Sequence, residues 1–176
     1  IVVCDYDLGK KNGIELLQSM KKQCPDLSKS LFIVVTGNTS QSAVAQAAEE
    51  DVDTFVLKPY TIEIIRRCIL KAAISKLFPS EYSKKIDEGK KLLLEAKPTE
   101  AKAVFQEACK LDAKPSLAHF YIGQAEEMEK ALENAMGAYN DGLAFNKIHY
   151  KCMTGLFDVL MGKQKVHEAY DVVKRI

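Results

Sequence analysis

The stretch that decides the fold is IVVCDYDLGKKNG, residues Ile1–Gly13. Its apolar run IVVC ends at two acids, Asp5 and Asp7, and a loop rich in Gly, Lys and Asn then leads into an amphipathic segment that begins at Ile14. A short β-branched run bounded by turn residues is typical of a buried parallel strand. Because open α/β sheets place their ligands at the carboxyl ends of the strands, we expect Asp5 to be a metal ligand, a nucleophile or a cap on the following loop.

The alternation of strand and helix is repeated along the first half of the chain. Two further apolar runs of strand length, LFIVV at 31–35 and TFVL at 54–57, predict a second and a third buried strand. Helical spacing and capping residues predict helices after each strand, over 14 to about 23, 40–50 and 62–77. Three strand–helix units in a row predict an α/β domain with a parallel sheet and right-handed crossovers.

Each predicted strand ends in a different polar residue: Asp5, Thr36 and Lys58, the last within a Lys-Pro dipeptide. In a parallel sheet of neighbouring strands these residues meet at one edge. Together with Gly13, eight residues after Asp5, they resemble the receiver (CheY-like) domain of two-component response regulators over residues 1–77. The resemblance implies a flavodoxin-like α/β fold, a phosphoryl-accepting aspartate and a cis Lys-Pro bond.

The resemblance also implies a role for each matched residue. Asp5 would be the nucleophile that accepts the phosphoryl group, with Mg²⁺ neutralising the charge that builds up there. Lys58 would pair, as a compact cation, with Asp5 or with a phosphoryl oxygen. Thr36 would turn its hydroxyl toward the phosphoryl group, and Phe55 stands at the position of the switch aromatic that moves with it. Asp7 stands where the family supplies a backbone carbonyl to the metal.

Several family features have no counterpart in this sequence. The family's first strand, whose acidic pair holds Mg²⁺, is missing, as are the helix and strand that follow it, and Gly9 stands where many receivers have proline. The chain also begins inside a predicted strand, without a Met or a cap. We therefore expect an N-terminally incomplete receiver, cut from a longer polypeptide, that binds Mg²⁺ weakly and accepts a phosphoryl group poorly.

The residues leave other interpretations open. Asp5 alone is compatible with a loop cap, Lys58 with a surface lysine, and Phe55 with ordinary core packing. The DxD motif followed by Thr36 and Lys58 also fits the haloacid-dehalogenase phosphohydrolases, with Asp5 as nucleophile and Asp7 as general acid and base. That family's last acidic motif does not follow Lys58, however. A third alternative is a receiver-like docking or dimerisation scaffold that is not phosphorylated.

The second half of the chain has only helical patterns. Phe78-Pro79-Ser80 interrupts the preceding helix and predicts a domain boundary, with a linker at 78–81. Beyond it, residue types recur at a spacing of 34: Gly89 and Gly123, Ala101, Ala135 and Ala169, and the aromatic residues Phe105 and Tyr139. The glycines would let helices approach closely, and the aromatic rings would fill the space between hairpins.

This spacing resembles that of tetratricopeptide (TPR) repeats, with boundaries at 82–115, 116–149 and 150–176, the last repeat being partial. The resemblance implies an all-α solenoid whose first helices line a concave, protein-binding groove. Candidate groove residues by repeat register are Ile86, Lys90, Phe120, Gln124, Glu127, Thr154 and Asp158. They are mixed in sign and lack the Lys/Asn pattern of members that clamp acidic peptide ends, so solvated helix faces without a partner are the alternative. The apolar end of the last repeat predicts further repeats or docking on another chain, including a second copy.

Composition excludes several classes of function. The net charge is +1, and neither half of the chain is strongly basic, which argues against nucleic-acid binding. The longest apolar run is too short to span a membrane. The five cysteines include no CxxC, and the three histidines lack the spacing of metal ligands. We therefore expect neither disulfides nor a zinc site, and we expect the protein to be in a reducing cytoplasm.

The sequence therefore favours a cytoplasmic signalling adaptor, which is not an enzyme, and the resemblance to response regulators implies a bacterial source. A sensor histidine kinase or a phosphotransfer protein would phosphorylate Asp5, and a two-state element around Thr36 and Phe55 would respond. The helix at 62–77 would transmit the change to the TPR module, which would bind a protein partner.

Overall fold

A computed structural model describes residues 1–9, 12–23, 30–37 and 52–174 of the chain. The chain divides into two compact units, Ile1–Phe78 and Pro79–Ile176. The helix predicted over residues 40–50 lies outside the described residues, and so does Cys24.

The first unit is built on a parallel sheet. Its elements are β1 (Val2–Asp5), α1 (Gly13–Gln23), β2 (Phe32–Thr36), β3 (Thr54–Leu57) and α2 (Ile62–Leu77). The three strands are hydrogen-bonded in the order β1-β2-β3, with both pairs parallel. This confirms the parallel sheet predicted from the strand–helix alternation. All five residues of β2, the central strand, are buried.

Helix α2 covers one face of this sheet. Its N-terminus is capped by the Thr61 hydroxyl, which accepts a hydrogen bond from the Ile64 N–H. The side chains that join α2 to the sheet are Ile64, Ile65, Cys68 and Ile69 on the helix and Ile33, Val35 and Val56 on the strands. This apolar layer holds the helix against the two strands that carry Thr36 and lead to Lys58.

A polar clamp fixes the opposite edge of the sheet, where the strands begin. The Lys76 ammonium, in the last turn of α2, donates to the Ser30 carbonyl and to Asp53 Oδ1, the latter at 3.0 Å. Asp53 Oδ2 in turn accepts the Phe32 N–H at 2.6 Å. The clamp ties the end of α2 to the starts of β2 and β3, and both of its charged side chains are partly buried.

The second unit is helical throughout its described residues. Its helices are α3 (Glu81–Leu94), α4 (Pro98–Cys109), α5 (Ser116–Met128), α6 (Leu132–Phe145), α7 (Tyr150–Gly162) and α8 (Val166–Val173). Each helix packs on its neighbour in sequence, and tight three-residue connections join α3 to α4, α5 to α6 and α7 to α8. None of the described helices is long and apolar enough to cross a membrane.

The tight connections repeat one backbone geometry at the 34-residue spacing. Their middle residues, Ala96, Lys130 and Gln164, have φ values of 57°, 61° and 59°. In each connection the next N–H bonds to a carbonyl five residues earlier, as from Lys97 to Leu92. These are the hydrogen bonds of a Schellman motif, which closes the end of a helix through one left-handed residue. The period in the sequence is therefore also a period in the backbone.

The aromatic residues of the 34-residue pattern pack against its glycines. A Cβ added to Gly89 would overlap the ring of Phe105, and one added to Gly123 would overlap the ring of Tyr139. Gly155 on α7 also packs against this ring, since its Cβ would lie 2.6 Å from Tyr139 Cζ. Both rings are fully buried. Tyr139 thus links α6 to the two helices that flank it in the core.

Buried polar groups fix the second hairpin and the start of the third. The Ser116 hydroxyl donates to the Gly142 carbonyl at 2.8 Å. His149, only 5% exposed, precedes α7, and its Nδ1 accepts the Cys152 N–H at 3.2 Å. A neutral imidazole therefore caps this helix, because only an unprotonated ring nitrogen can accept a hydrogen bond.

Replacing Ala96 by Gly is predicted to stabilise the helical unit by about 0.5–1 kcal/mol. The left-handed conformation costs a residue with a side chain roughly 1–2 kcal/mol, and the greater chain entropy of Gly removes roughly 0.5–1 kcal/mol of that gain. Urea unfolding followed by far-ultraviolet circular dichroism measures the change. The matched control is Lys91→Gly in the last turn of α3, a right-handed position where glycine should destabilise by up to about 1 kcal/mol. Destabilisation by Ala96→Gly would contradict the left-handed assignment.

Acid is predicted to destabilise the helical unit through His149. Burial lowers the pKa of this imidazole from 6.5 to about 4, and Lys151 adds to the effect. Since the pKa in the folded state lies below that in the unfolded state, the stabilisation is complete above pH 6.5 and is lost as the pH falls through about 4. The loss is on the order of 3 kcal/mol and is measured by urea unfolding across this range.

The control for this pH dependence is His149→Asn. Asparagine keeps a side-chain oxygen that can cap α7 but has no group that titrates. Its stability should fall less steeply toward low pH than that of the parent chain. Parallel curves for the two proteins would show that His149 is not the titrating group.

Candidate functional site

The carboxyl edge of the sheet carries an ion pair between Asp5 and Lys58. The Lys58 ammonium donates a hydrogen bond to Asp5 Oδ2, and the two side chains are 45% and 38% exposed for Lys58 and Asp5 respectively. The other carboxylate oxygen, Asp5 Oδ1, accepts the Asp7 N–H at 3.2 Å. Both oxygens are therefore held by partners, while the pair stays open to solvent.

The ion pair keeps both of its groups charged. The hydrogen bond from Lys58 lowers the pKa of the Asp5 carboxyl, and the backbone N–H of Asp7 lowers it further. The same bond raises the pKa of the Lys58 ammonium. An exposed carboxylate that is ionised and oriented has the properties of a nucleophile or of a cation ligand.

The sheet register accounts for this meeting of Asp5 and Lys58. Asp5 lies beside Val35, and Val35 lies beside Val56, so these three positions share one face of the sheet. Lys58 follows two residues after Val56 and returns to the same face. Its N–H donates to the Thr36 carbonyl at 2.8 Å, which extends the β2–β3 pairing beyond the end of the strand. The Lys58-Pro59 bond is cis.

Thr36 and Phe55 lie together on the other face of the sheet. Phe55 pairs in register with Val34, which is two residues before Thr36. Thr36 is buried and Phe55 is partly buried. The predicted switch residues are thus neighbours on adjacent strands, whereas Asp5 and Lys58 are on the opposite face.

The loop after β1 is held by Asp7 and by two glycines. The Asp7 carboxylate accepts the Gly9 N–H at 2.9 Å, and Gly9 has φ 83°, a left-handed value that favours glycine. Gly13 packs directly on the end of β1, because a Cβ added there would lie 2.6 Å from the Asp5 carbonyl oxygen. Its own N–H donates to the Tyr6 carbonyl at 2.8 Å. The glycine eight residues after Asp5 therefore fixes where α1 starts relative to the acid.

The described residues do not by themselves form a Mg²⁺ site. The carboxylate of Asp5 contacts Lys58, and that of Asp7 is used within its own loop. In the part of the chain that the structure describes, no group of three or more His, Cys, Asp and Glu side chains is placed to hold a metal ion. Among the described residues, the carboxylates of this loop are therefore those of Asp5 and Asp7.

A second candidate site is a cavity of about 430 Å³ on the helical unit, between α3 and α5. Three of the predicted groove residues line it: Lys90, Gln124 and Glu127. Phe120 does not; it is buried, with the Lys151 ammonium 5.8 Å from its ring centroid. Ile86, Thr154 and Asp158 are likewise outside the described lining.

The apolar part of this cavity was not predicted from the sequence. The lining also includes Leu93, Leu94, Tyr121 and Met128. Leu94 and Met128 are 34 residues apart, so the repeat register could have paired them. Both are at the ends of their helices, a position that helical periodicity alone does not mark as either core or surface.

One curated protein is similar to part of this chain. It is described as a probable chemotaxis protein CheY from Rhizobium etli and is 32% identical over 78 residues. The alignment covers 44% of this chain and 56% of that protein, so the chain spans little more than half of the length of the relative it matches. The similarity supports a receiver-like domain in this chain.

No family model matches the chain, and no solved structure matches it.

Gly13→Ala is predicted to destabilise the first unit by roughly 1–3 kcal/mol, because the added methyl group must displace the end of β1 or the start of α1. Hydrogen exchange of the β1 and β2 amides measures the loss locally. Gly37→Ala is the matched control, since open space surrounds that glycine and its φ is not left-handed. The control should change stability by less than about 0.5 kcal/mol. Equal protection in the two variants would disprove the close contact.

Proposed function

We propose that this chain is a two-component signalling protein. Its first unit would be a response regulator receiver that accepts a phosphoryl group at Asp5, and its helical unit would be a TPR-type module that binds a protein partner. The observation that carries the proposal is the exposed Asp5–Lys58 pair at the carboxyl edge of a parallel sheet. The similarity to a probable chemotaxis protein CheY supports the same assignment for the receiver-like domain.

The proposed reaction is a transfer of a phosphoryl group to the Asp5 carboxylate. An Asp5 oxygen attacks the phosphorus and forms a new P–O bond, while the bond from phosphorus to the donor breaks and the leaving group keeps that electron pair. The lowered pKa of Asp5 keeps it ionised and therefore nucleophilic. The Lys58 ammonium would stabilise the negative charge that is shared between carboxylate and phosphoryl oxygens. Mg²⁺ would further neutralise this charge in a complete receiver.

The response to phosphorylation would run through Thr36 and Phe55. The Thr36 carbonyl is hydrogen-bonded to the Lys58 backbone, and Phe55 on the adjacent strand pairs with Val34, two residues before Thr36. A phosphoryl group on Asp5 that recruits the Thr36 hydroxyl would change the packing around Phe55. Helix α2 follows β3 directly and would carry this change toward the helical unit.

The assignment of the helical unit to the TPR type rests on two features with the same 34-residue period. One is the glycine–aromatic contact within the hairpins, at Gly89 with Phe105 and at Gly123 with Tyr139. The other is the Schellman geometry that recurs at every tight connection. A solenoid of such hairpins offers a concave surface to a partner, and the cavity between α3 and α5 is the part of that surface proposed as a groove.

The partners follow from these roles. A sensor histidine kinase or a phosphotransfer protein would supply the phosphoryl group, and a cytoplasmic protein would bind the helical unit. The chain itself would not be a turnover enzyme. Neither nucleic acid nor a lipid bilayer is a proposed partner, while homodimerisation remains an alternative use of exposed apolar faces.

The test is intact-mass spectrometry after incubation with Mg²⁺ and acetyl phosphate. Slow addition of one phosphoryl group is expected, because the described residues leave Mg²⁺ weakly held. Asp5→Asn should abolish the addition, and Asp7→Asn, which retains the nucleophile, should not. Addition that survives Asp5→Asn would rule out the proposed acceptor.

Two other outcomes would favour the alternatives. Continuous release of inorganic phosphate from the phosphodonor, lost in Asp5→Asn, would favour a phosphohydrolase. No phosphoryl addition under any condition would leave a docking scaffold as the function of the first unit.

A further inference from the structure

The cavity between α3 and α5 has an exposed apolar rim. Leu94 is 88% exposed, and Met128 is the other large apolar side chain at the mouth. A leucine so fully in water at the edge of a concave surface marks a place where another molecule can bury apolar area. Met128 adds an unbranched, polarizable side chain that adapts to different shapes. The rim therefore suits one large aliphatic or aromatic side chain of a partner.

A cation is held on the α3 side of the cavity. The Lys90 ammonium is 5.9 Å from the ring centroid of Tyr121. Tyr121 is itself buried and stacks on Phe105, with ring centroids 5.2 Å apart. Because the ring below it is fixed by the core, the lysine has a favoured position over the cavity wall.

An anion is held on the α5 side. The carboxylate of Glu127 accepts a hydrogen bond from the Tyr139 hydroxyl. Tyr139 is fully buried, and burial together with this bond raises the pKa of its phenol, which remains a donor. A carboxylate anchored on a core tyrosine loses little further freedom when it binds a ligand. Glu127 is thus a preoriented acceptor for a basic group.

The two charges determine which partner is complementary. A segment of a single sign would meet a like charge at Lys90 or at Glu127, whereas one that carries both signs can pair with each. Packed helices are about 8–10 Å apart. An extended peptide places alternate residues on one side about 7 Å apart, so an acid and a base with one apolar residue between them at alternate positions are about 14 Å apart. This exceeds the separation of two helix axes and leaves room for the long side chains of Lys90 and Glu127 at either end.

We propose that this cavity binds an extended peptide segment of the pattern acid-Xaa-apolar-Xaa-base, with the acid toward Lys90, the apolar side chain between Leu94 and Met128, and the base toward Glu127. This deepens the proposed function of the helical unit and rests on it. The partner is therefore a protein that exposes a zwitterionic segment with one large apolar anchor.

The test uses labelled synthetic peptides and fluorescence anisotropy on the whole chain. The probe contains Glu-Ser-Leu-Ser-Arg, and three comparison peptides replace Leu by Ala, both charges by Gln, or Glu by Lys. Saturable binding of the probe is expected. The Leu-to-Ala peptide should bind at least about tenfold more weakly, because it buries one large side chain less.

Variants of the protein locate the binding. Leu94→Ser and Met128→Ser should each weaken the binding of the probe peptide by about fivefold to tenfold. Leu111→Ser is the matched control, because Leu111 is also an exposed leucine of the helical unit, 52% exposed, but does not line the cavity. Lys90→Glu should exchange the preference, so that Lys-Ser-Leu-Ser-Arg binds more tightly than the original probe.

Each contrary result overturns a distinct claim. Probe binding that is absent, or that is equally strong in Leu94→Ser and Leu111→Ser, overturns the proposed peptide chemistry. If all of the peptides bind equally and Leu94→Ser abolishes the binding of each, the helical unit is still a partner-binding module but the zwitterionic pattern is wrong. A dimer in sedimentation velocity that Leu94→Ser converts to a monomer would show that a second copy fills the cavity. Phosphoryl addition at Asp5, measured separately, decides the receiver function whatever the peptides do.

Discussion

The register of the parallel sheet is the constraint on which the candidate phosphoacceptor site depends. Asp5 lies beside Val35, and Val35 beside Val56, so that Asp5 and Lys58, two residues after Val56, emerge on one face of the sheet. A slip of one residue would turn the side chains of a strand to the opposite face and separate the pair. The apolar layer under α2 and the Lys76–Asp53 clamp at the other edge both act on β2 and β3, and both therefore protect this register.

The helical unit depends on a comparable constraint, the close approach of helices at glycine. Phe105 and Tyr139 can be fully buried only because Gly89, Gly123 and Gly155 leave room for their rings. The buried hydroxyl of Tyr139 then reaches the Glu127 carboxylate at the cavity wall. Core packing thus extends to a surface charge, so the part of the helical unit proposed to meet a partner is positioned by its most buried residues.

Much of this organisation could be predicted from residue order. The strands were predicted by short β-branched runs, and the meeting of Asp5 with Lys58 by the rule that parallel strands end at one edge. The 34-residue columns identified the glycines and rings that pack together. Three features were not predicted: the Asp53 clamp, the neutral His149 cap and the apolar rim at Leu94. The clamp joins residues whose separation in the chain follows no period. The cap depends on the burial of His149, and the rim depends on the exposure of a residue at a helix end.

The sequence by itself therefore determined the local and periodic properties of this protein: which of the described segments are strands or helices, and which residue types recur in each hairpin. Periodicity can reveal these because apolar burial has the period of the element that is buried. Only the tertiary structure decided which carboxylate oxygen meets Lys58, that the imidazole of His149 is buried and uncharged, and that Leu94 and Met128 line the same cavity as Lys90 and Glu127. These depend on distances between side chains on different elements, which the order of residues along the chain does not specify.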